Sequence, residues 1–234
     1  MAISFPVLGA RQSGKTYLIR KLASYLSQKT ELKPAGAIPF EIGISSKNAK
    51  DTLTDAEKFS QDAGGTPLCL HSLYQGYQNF PITFCAETEG FKLKLPFFES
   101  WLESAMANHS PVFLEYAGGL LNPLFGDICF LDLMQKWKTP YLLVADGSAE
   151  GFEKSLYAMR LLKDSGLSGF IVLNDSQNSK DVPWFQYIHE AVAPMNCQTI
   201  GALPYLPEDD PTSPLLSEVL NSIAVSLEIM PNAL

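Results

Sequence analysis

Basic side chains are scarce in this sequence. Its 17 lysines and arginines stand against 25 aspartates and glutamates, giving a formal net charge of -8 and a pI near 4.9. A surface of that average sign repels a polyanion, so nucleic acid is not an expected partner. Histidine occurs three times, at His71, His109 and His189, each isolated from the others. Cysteine occurs four times, at Cys69, Cys85, Cys129 and Cys197, without C-x-x-C spacing. That scatter points to structural thiols in a reducing compartment, not to a zinc site or a disulfide framework. Long apolar runs are missing as well: proline, glycine or charge interrupts each stretch before the roughly 20 apolar residues of a membrane span. No signal sequence, internal repeat, coiled coil or low-complexity block is visible. The expectation is a soluble cytoplasmic protein, one domain over residues 1–234, with no membrane association.

What is present is 46% hydrophobic side chains, arranged as short apolar runs separated by stretches of helical periodicity. That alternation is what a parallel sheet with crossover helices requires, and it predicts an α/β fold. Strands are expected at Ile3 to Leu8, Ala35 to Phe40, Pro111 to Glu115, Tyr141 to Ala145, Gly169 to Leu173 and Thr199 to Leu203. Helices are expected at Thr16 to Gln28, Phe97 to Asn108, Cys129 to Trp137, Gly151 to Ser165 and Leu215 to Leu227. The segment Asn174 to Val182 reads as an exposed loop on its charge and Ser/Asn content.

The strongest local signal is Gly9-Ala10-Arg11-Gln12-Ser13-Gly14-Lys15-Thr16, which fits G-x-x-x-x-G-K-[ST] between a strand and a helix. The glycines let the backbone approach a polyphosphate, while successive amides and the helix N-terminus present positive partial charge. Lys15 supplies a cation for the terminal phosphates, and Thr16 a hydroxyl for magnesium. A nucleotide-bound magnesium needs hard oxygen ligands. Glu115, at the end of an apolar strand, faces the crevice where open sheets bind ligands, a reading favoured over that of a solvated strand-end acid. Asp55 opens a helical stretch at Thr54-Asp55-Ala56-Glu57, where a helix-capping role competes with metal binding.

With these residues in view, several blocks resemble dethiobiotin synthetase, in the same order and at similar spacing across nearly the whole chain. Glu115-Tyr116-Ala117-Gly118-Gly119 with Asn122-Pro123-Leu124 is similar to that family's E-G-A-G-G and following P-L. Asp55-Ala56 resembles its S-D-A. Gly169-Phe170-Ile171-Val172-Leu173-Asn174-Asp175 resembles its strand ending in an adenine-reading asparagine, and Leu203-Pro204-Tyr205-Leu206 its I-P-W-L beside the purine.

The resemblance implies a P-loop NTPase-like fold, a mostly parallel sheet flanked by helices. It implies ATP bound by Gln12, Ser13, Gly14, Lys15, Thr16, Tyr17, Glu115, Gly118, Asn174, Asp175, Pro204, Tyr205 and Leu206. Mg2+ would be held by Thr16, Asp55 and Glu115, and Lys15 would be catalytic. The implied reaction joins carbon dioxide to the vicinal diamine diaminopelargonate. A carbamate is activated by the γ-phosphoryl group of ATP, and the ureido ring then closes. Homodimers, with a small-molecule pocket shared between subunits, are implied too.

The sequence also departs from that family. Its glycine loop, G-T-x-T-x-V-G-K-T, is one residue longer between glycines, and here Gly9 and Arg11 stand where its threonines lie. Its K-P-V-x-[ST]-G falls on Ile38-Pro39-Phe40-Glu41-Ile42-Gly43, so its catalytic lysine becomes Ile38. An alternative register puts Lys33-Pro34 at the motif. Its [KR]-L-G-x-I-N becomes Ser148-Ala149-Glu150-Gly151-Phe152-Glu153, and its P-x-S-P-H segment has no counterpart. The losses cluster on the diamine side, which leaves a second reading open: a P-loop ATP-binding protein or ATPase with another substrate. Arg11 and Lys33 are the cations that could replace the missing lysine. Trp184-Phe185-Gln186-Tyr187 reads as helix packing or a dimer surface. The Glu208, Asp209 and Asp210 cluster reads as a solvated loop, and His189 as a surface or interface residue on a helix.

Overall fold

The structure is a computed structural model that describes residues 4–43, 69–70, 72–76, 80–116, 118–174, 182–204 and 213–230. Its centre is a sheet of seven strands: β1 (Ser4–Leu8), β2 (Ala35–Ala37), β4 (Cys69–Leu70), β6 (Val112–Glu115), β9 (Tyr141–Asp146), β10 (Gly169–Asn174) and β11 (Cys197–Leu203). Their order is β11-β10-β9-β1-β6-β2-β4, and every pairing is parallel. The described helices are α1 (Lys15–Lys29), α2 (Ile82–Thr88), α3 (Leu95–Asn108), α4 (Phe130–Trp137), α5 (Ala149–Asp164), α6 (Val182–Val192) and α7 (Pro214–Ser226).

The strands read as unbroken apolar runs because both sheet faces are covered. Successive side chains point to opposite faces: Phe113, Leu142, Val144 and Val172 pack with Leu18 and Leu22 of α1 and Leu220 and Ile223 of α7. Leu114, Leu143, Ala145 and Ile171, one position out of phase, pack instead with Phe98 of α3, Phe130 and Met134 of α4, and Met159 and Leu162 of α5.

The expected strand Ala35 to Phe40 is divided. Its first part is β2, and after Ile38 and Pro39 the chain enters a different sheet, where β3 (Phe40–Ile42) pairs in parallel with β5 (Tyr74–Gly76). Proline has no N–H for the ladder of an internal strand, and the carbonyl of Pro39 accepts from the amides of Leu73 and Tyr74 at 2.8 and 3.1 Å. The proline thus transfers the chain from one sheet to the next. A hairpin of β7 (Pro123–Phe125) and β8 (Ile128–Cys129) turns at Gly126, whose φ of 73° favours glycine. Of the expected loop Asn174 to Val182, Asn174 ends β10 and Val182 opens α6, while 175–181 lie outside the described residues.

Candidate functional site

β1 lies between β6 and β9, so the loop that follows it emerges at the C-terminal edge of the sheet beside the ends of both neighbours. Two glycines shape that loop. Gly9 has φ 149°, and a Cβ there would lie 2.4 Å from the Val144 carbonyl oxygen and 2.5 Å from Ser13 Oγ. Gly14, at φ 95°, precedes α1, and a Cβ there would lie 2.4 Å from Asn174 Nδ2. Neither position has room for a side chain. The turn closes through Ser13 N–H donating to the Ala10 carbonyl at 3.2 Å. The first turn of α1 carries no acidic residue and no capping side chain, so its N-terminal positive partial charge is not offset by a carboxylate of its own first turn.

Lys15 is 4% exposed, and its ammonium donates to the Gly9 and Ala10 carbonyls at 3.2 and 2.8 Å. Beside it the hydroxyl of Thr16 lies 3.0 Å from Glu115 Oε1 and 2.9 Å from Oε2, and Glu115 is buried at 7% exposure. The chain separation between these two residues is 99 positions, bridged by the β1–β6 register that sets Val7 opposite Glu115. This hydroxyl and carboxylate are hard oxygen donors of the kind magnesium takes alongside phosphate oxygens and water, and their convergence fits that ion. Among the described residues no group of three or more His, Cys, Asp or Glu side chains gathers elsewhere to hold a metal.

Asn174 is tied to the same loop, its Nδ2 donating to the Ser13 carbonyl at 3.0 Å. Ser13 is buried at 1% exposure, and its hydroxyl has no hydrogen-bond partner among the described residues. Gln12 sits on the exposed loop at φ 64°, and Tyr17 is half-buried in the first turn of α1. Pro204 follows β11 at the same sheet edge, since Leu203 is in register with Asn174. Gly118 belongs to the turn after β6, where a Cβ would lie 2.3 Å from the Tyr116 hydroxyl. The Tyr116 ring stacks on Phe130 at 4.0 Å and 8°, and burial pushes its phenol well above the ordinary range. Asp55, Asp175, Tyr205 and Leu206, with Ala117, Glu208, Asp209 and Asp210, lie outside the described residues.

The structure does not bring every proposed cation to this edge. Lys33 bridges to Ser110 ahead of β6, at the N-terminal end of the sheet. Five strand residues at about 3.3 Å each separate that level from Glu115, beyond the reach of a lysine side chain. Lys33 thus stands at the opposite end of the sheet from Thr16 and Glu115. Ile38 is buried at 4% exposure within the α1-side core, together with Leu18, Leu22 and Phe113. Arg11 is exposed on the glycine loop itself.

Two features were not anticipated from sequence. Asp146 ends β9 as Glu115 ends β6, accepts from the Ser148 amide at 3.1 Å, and is packed closely enough by α5 that a Cβ on Gly151 would lie 2.5 Å from its own. An acid closing a buried apolar strand was the available signal. A cavity of about 410 Å³ also adjoins Gly9 and Ala10, walled by Tyr116, Leu120, Leu143 and the α5 side chains Lys154, Ser155 and Leu161. A smaller hollow of about 220 Å³ lies across the Gly118-Gly119 turn, against Ile42, Ile82 and Leu124. Trp184 and Tyr187 of α6 pack on Phe152 of α5, edge-on at 5.5 and 6.4 Å, and Trp184 donates to the Gly147 carbonyl at 2.9 Å.

A family model described as an AAA domain matches residues 77–213. The chain belongs to this AAA domain family. Over 165 residues it is 27% identical to the ATP-dependent dethiobiotin synthetase BioD of Wolinella succinogenes, covering 69% of this chain and 74% of that one. A second such synthetase, from Bradyrhizobium sp., is 28% identical over 101 residues, and there the chain spans 44% of the relative's length. Within the AAA domain family the protein is thus a divergent dethiobiotin synthetase-like member. A solved structure of a Borrelia burgdorferi B31 protein, described as a plasmid partition protein bound to AMPPNP, is similar with a TM-score of 0.57. That likeness covers 98% of this chain and 99% of the other at 11% identity. It shows the P-loop NTPase-like fold of this AAA domain protein, a mostly parallel sheet flanked by helices. No helix among the described residues is long and apolar enough to cross a membrane.

Proposed function

We propose that the protein is a cytoplasmic ATP- and magnesium-dependent ligase that closes the ureido ring of dethiobiotin from diaminopelargonate and carbon dioxide, a reaction of biotin biosynthesis. The observation that supports it best is the meeting of Thr16 with Glu115 at 2.9 and 3.0 Å beside the glycine loop, with a cavity opening next to Gly9 and Ala10. Triphosphate and a small acceptor would then lie side by side.

In this reading the loop amides and Lys15 hold the transferring phosphoryl group. Positioning and charge neutralisation are the protein's main contribution to such a transfer. Lys15 would exchange its two loop carbonyls for phosphate oxygens. Magnesium, held by Thr16 and Glu115 and by Asp55 if it reaches them, would supply further neutralisation of the phosphates. Asn174, Asp175, Pro204, Tyr205 and Leu206 would surround the base. The reading also takes the protein to be a homodimer, supported by Leu121 and Tyr157, which line the cavity at 62% and 70% exposure.

Purified protein incubated with diaminopelargonate, bicarbonate, magnesium and ATP should yield dethiobiotin by mass together with stoichiometric phosphate. Clear nucleotide binding without ring product would turn the assignment to the second reading, an ATPase or ATP-binding protein with another substrate. Ile38 in the core, where the synthetases carry a lysine, favours that alternative. ATP hydrolysis at full rate without any diamine would be its signature.

A further inference from the structure

β9 and β10 run in parallel with Tyr141 opposite Gly169, so the segments that lead into them, through Thr139 and Ser168, lie at the N-terminal edge of the sheet. The glycine loop stands at the other edge, about 20 Å away along strands of six residues. Beside these two segments, where α4 and α5 both end, is a separate cavity of about 400 Å³, within the range of small-molecule sites. Its lining is polar. Gln135 supplies an amide, Thr139, Ser165 and Ser168 supply hydroxyls, Lys138 supplies an ammonium, and Leu167 is the one large apolar side chain. Among the described residues no carboxylate lines it.

Helix C-termini ordinarily leave unpaired carbonyls that attract donors or cations, but those at the end of α5 are taken. Leu161 and Leu162 accept from the Ser165 and Leu167 amides at 3.0 Å each, Lys163 from the Gly166 amide at 2.9 Å, and Ser165 from Gln135 Nε2 at 3.3 Å. The groups left for a ligand are therefore mainly donors. Lys138 caps α4 at φ 55°, a left-handed position that glycine or asparagine fills more readily. Its side chain is exposed, and among the described residues its ammonium makes no ion pair or hydrogen bond. The Thr139 hydroxyl is buried without a hydrogen-bond partner among the described residues, an arrangement that costs the free protein stability. A phosphoryl group brings negative charge and three outer acceptor oxygens, which an ammonium among hydroxyls can meet from several directions. The cavity is larger than one such group, and its remaining polar wall matches a hydroxylated body.

We infer that this cavity binds a small hydroxylated phosphate monoester, with its phosphoryl group on Lys138 and with Thr139 gaining in the bound state the partner it otherwise lacks. The site is independent of the ligase reading, since no residue of the glycine loop belongs to it.

The test uses the full chain with the glycine loop saturated by AMPPNP and magnesium, so that phosphate binding there does not contribute. β-Glycerophosphate is titrated into isotope-labelled protein at an ionic strength fixed with KCl, and the amide NMR resonances of Thr139, Gly166 and Ser168 are followed. They should shift saturably, with at least ten-fold tighter binding than glycerol shows, as a charge-assisted contact provides. Lys138→Met should weaken binding about ten-fold, whereas Lys136→Met, whose lysine pairs with Glu99 at the surface, should bind as the wild type does. Thr139→Val should bind about five-fold more weakly, as loss of one neutral hydrogen bond implies. Its Tm without ligand should nevertheless be no lower than that of the wild type, because only an unpaired hydroxyl has been removed. Absence of a saturable shift in the wild type, equal binding of glycerol, or undiminished binding by Lys138→Met overturns the site. Full affinity or a lowered Tm in Thr139→Val overturns it as well, the first by showing the hydroxyl idle and the second by showing it paired in the free protein.

Discussion

Lys15, Thr16 and Glu115 differ in how far sequence spacing reveals them. The lysine and threonine belong to an eight-residue motif and are legible at once. Glu115 is legible only as an acid at the end of an apolar run, and its 2.9 Å approach to Thr16 depends on two strands that meet across nearly a hundred positions. Removing the Lys15 ammonium takes a charge-assisted donor from the loop. Lys15→Ala should weaken ATP binding by more than about ten-fold in a calorimetric titration, and unchanged affinity would count against the loop assignment. Glu115→Gln keeps the shape of the side chain and removes its charge. The variant should require higher magnesium for half-maximal ATP affinity while binding ATP alone as the wild type does. Ile38 shows the converse of the motif: alignment gives its position, but only packing reveals that it faces the α1-side core.

At the level of elements, five of the six expected strands and all five expected helices form close to their predicted limits, because apolar periodicity is a local property. The errors fall where a choice depends on distant partners. Pro39 ends β2 early, yet the sheet it leads into exists only because Tyr74–Gly76 lies alongside. The cavity beside the glycine loop was invisible to periodicity because its walls come from β1, the turn after β6, β9 and α5. Helix α5 carries its own terminus signal: Ser148 Oγ accepts from the Gly151 amide at 3.1 Å. Ser148→Ala should therefore lower stability by about 1 kcal/mol in a urea titration, as loss of an N-cap does.

For the molecule as a whole, buried ionisable groups set a limit on the alkaline side. Burial pushes the Cys197 thiol up to about 11 and holds the phenols of Tyr141 and Tyr116 above their ordinary range. The folded protein keeps these protons at pH values where the unfolded chain releases them. The stabilisation is complete below the ordinary thiol value of about 9 and is lost as pH rises towards 11. Calorimetric Tm should fall across that window, and less steeply in Cys197→Ala. An identical slope in the variant would assign the loss to the phenols alone.

Because β1 is flanked by β6 and β9, it can acquire neither neighbour until residues beyond 112 and then 141 have been made. Its ladder is closed by late-arriving sequence, a non-local order that slows folding. The glycine loop is made well before the two strands that flank it, and takes its final surroundings only once they have arrived. Nascent chains halted before Val112 should pass through an ATP resin unretained, however intact their glycine motif.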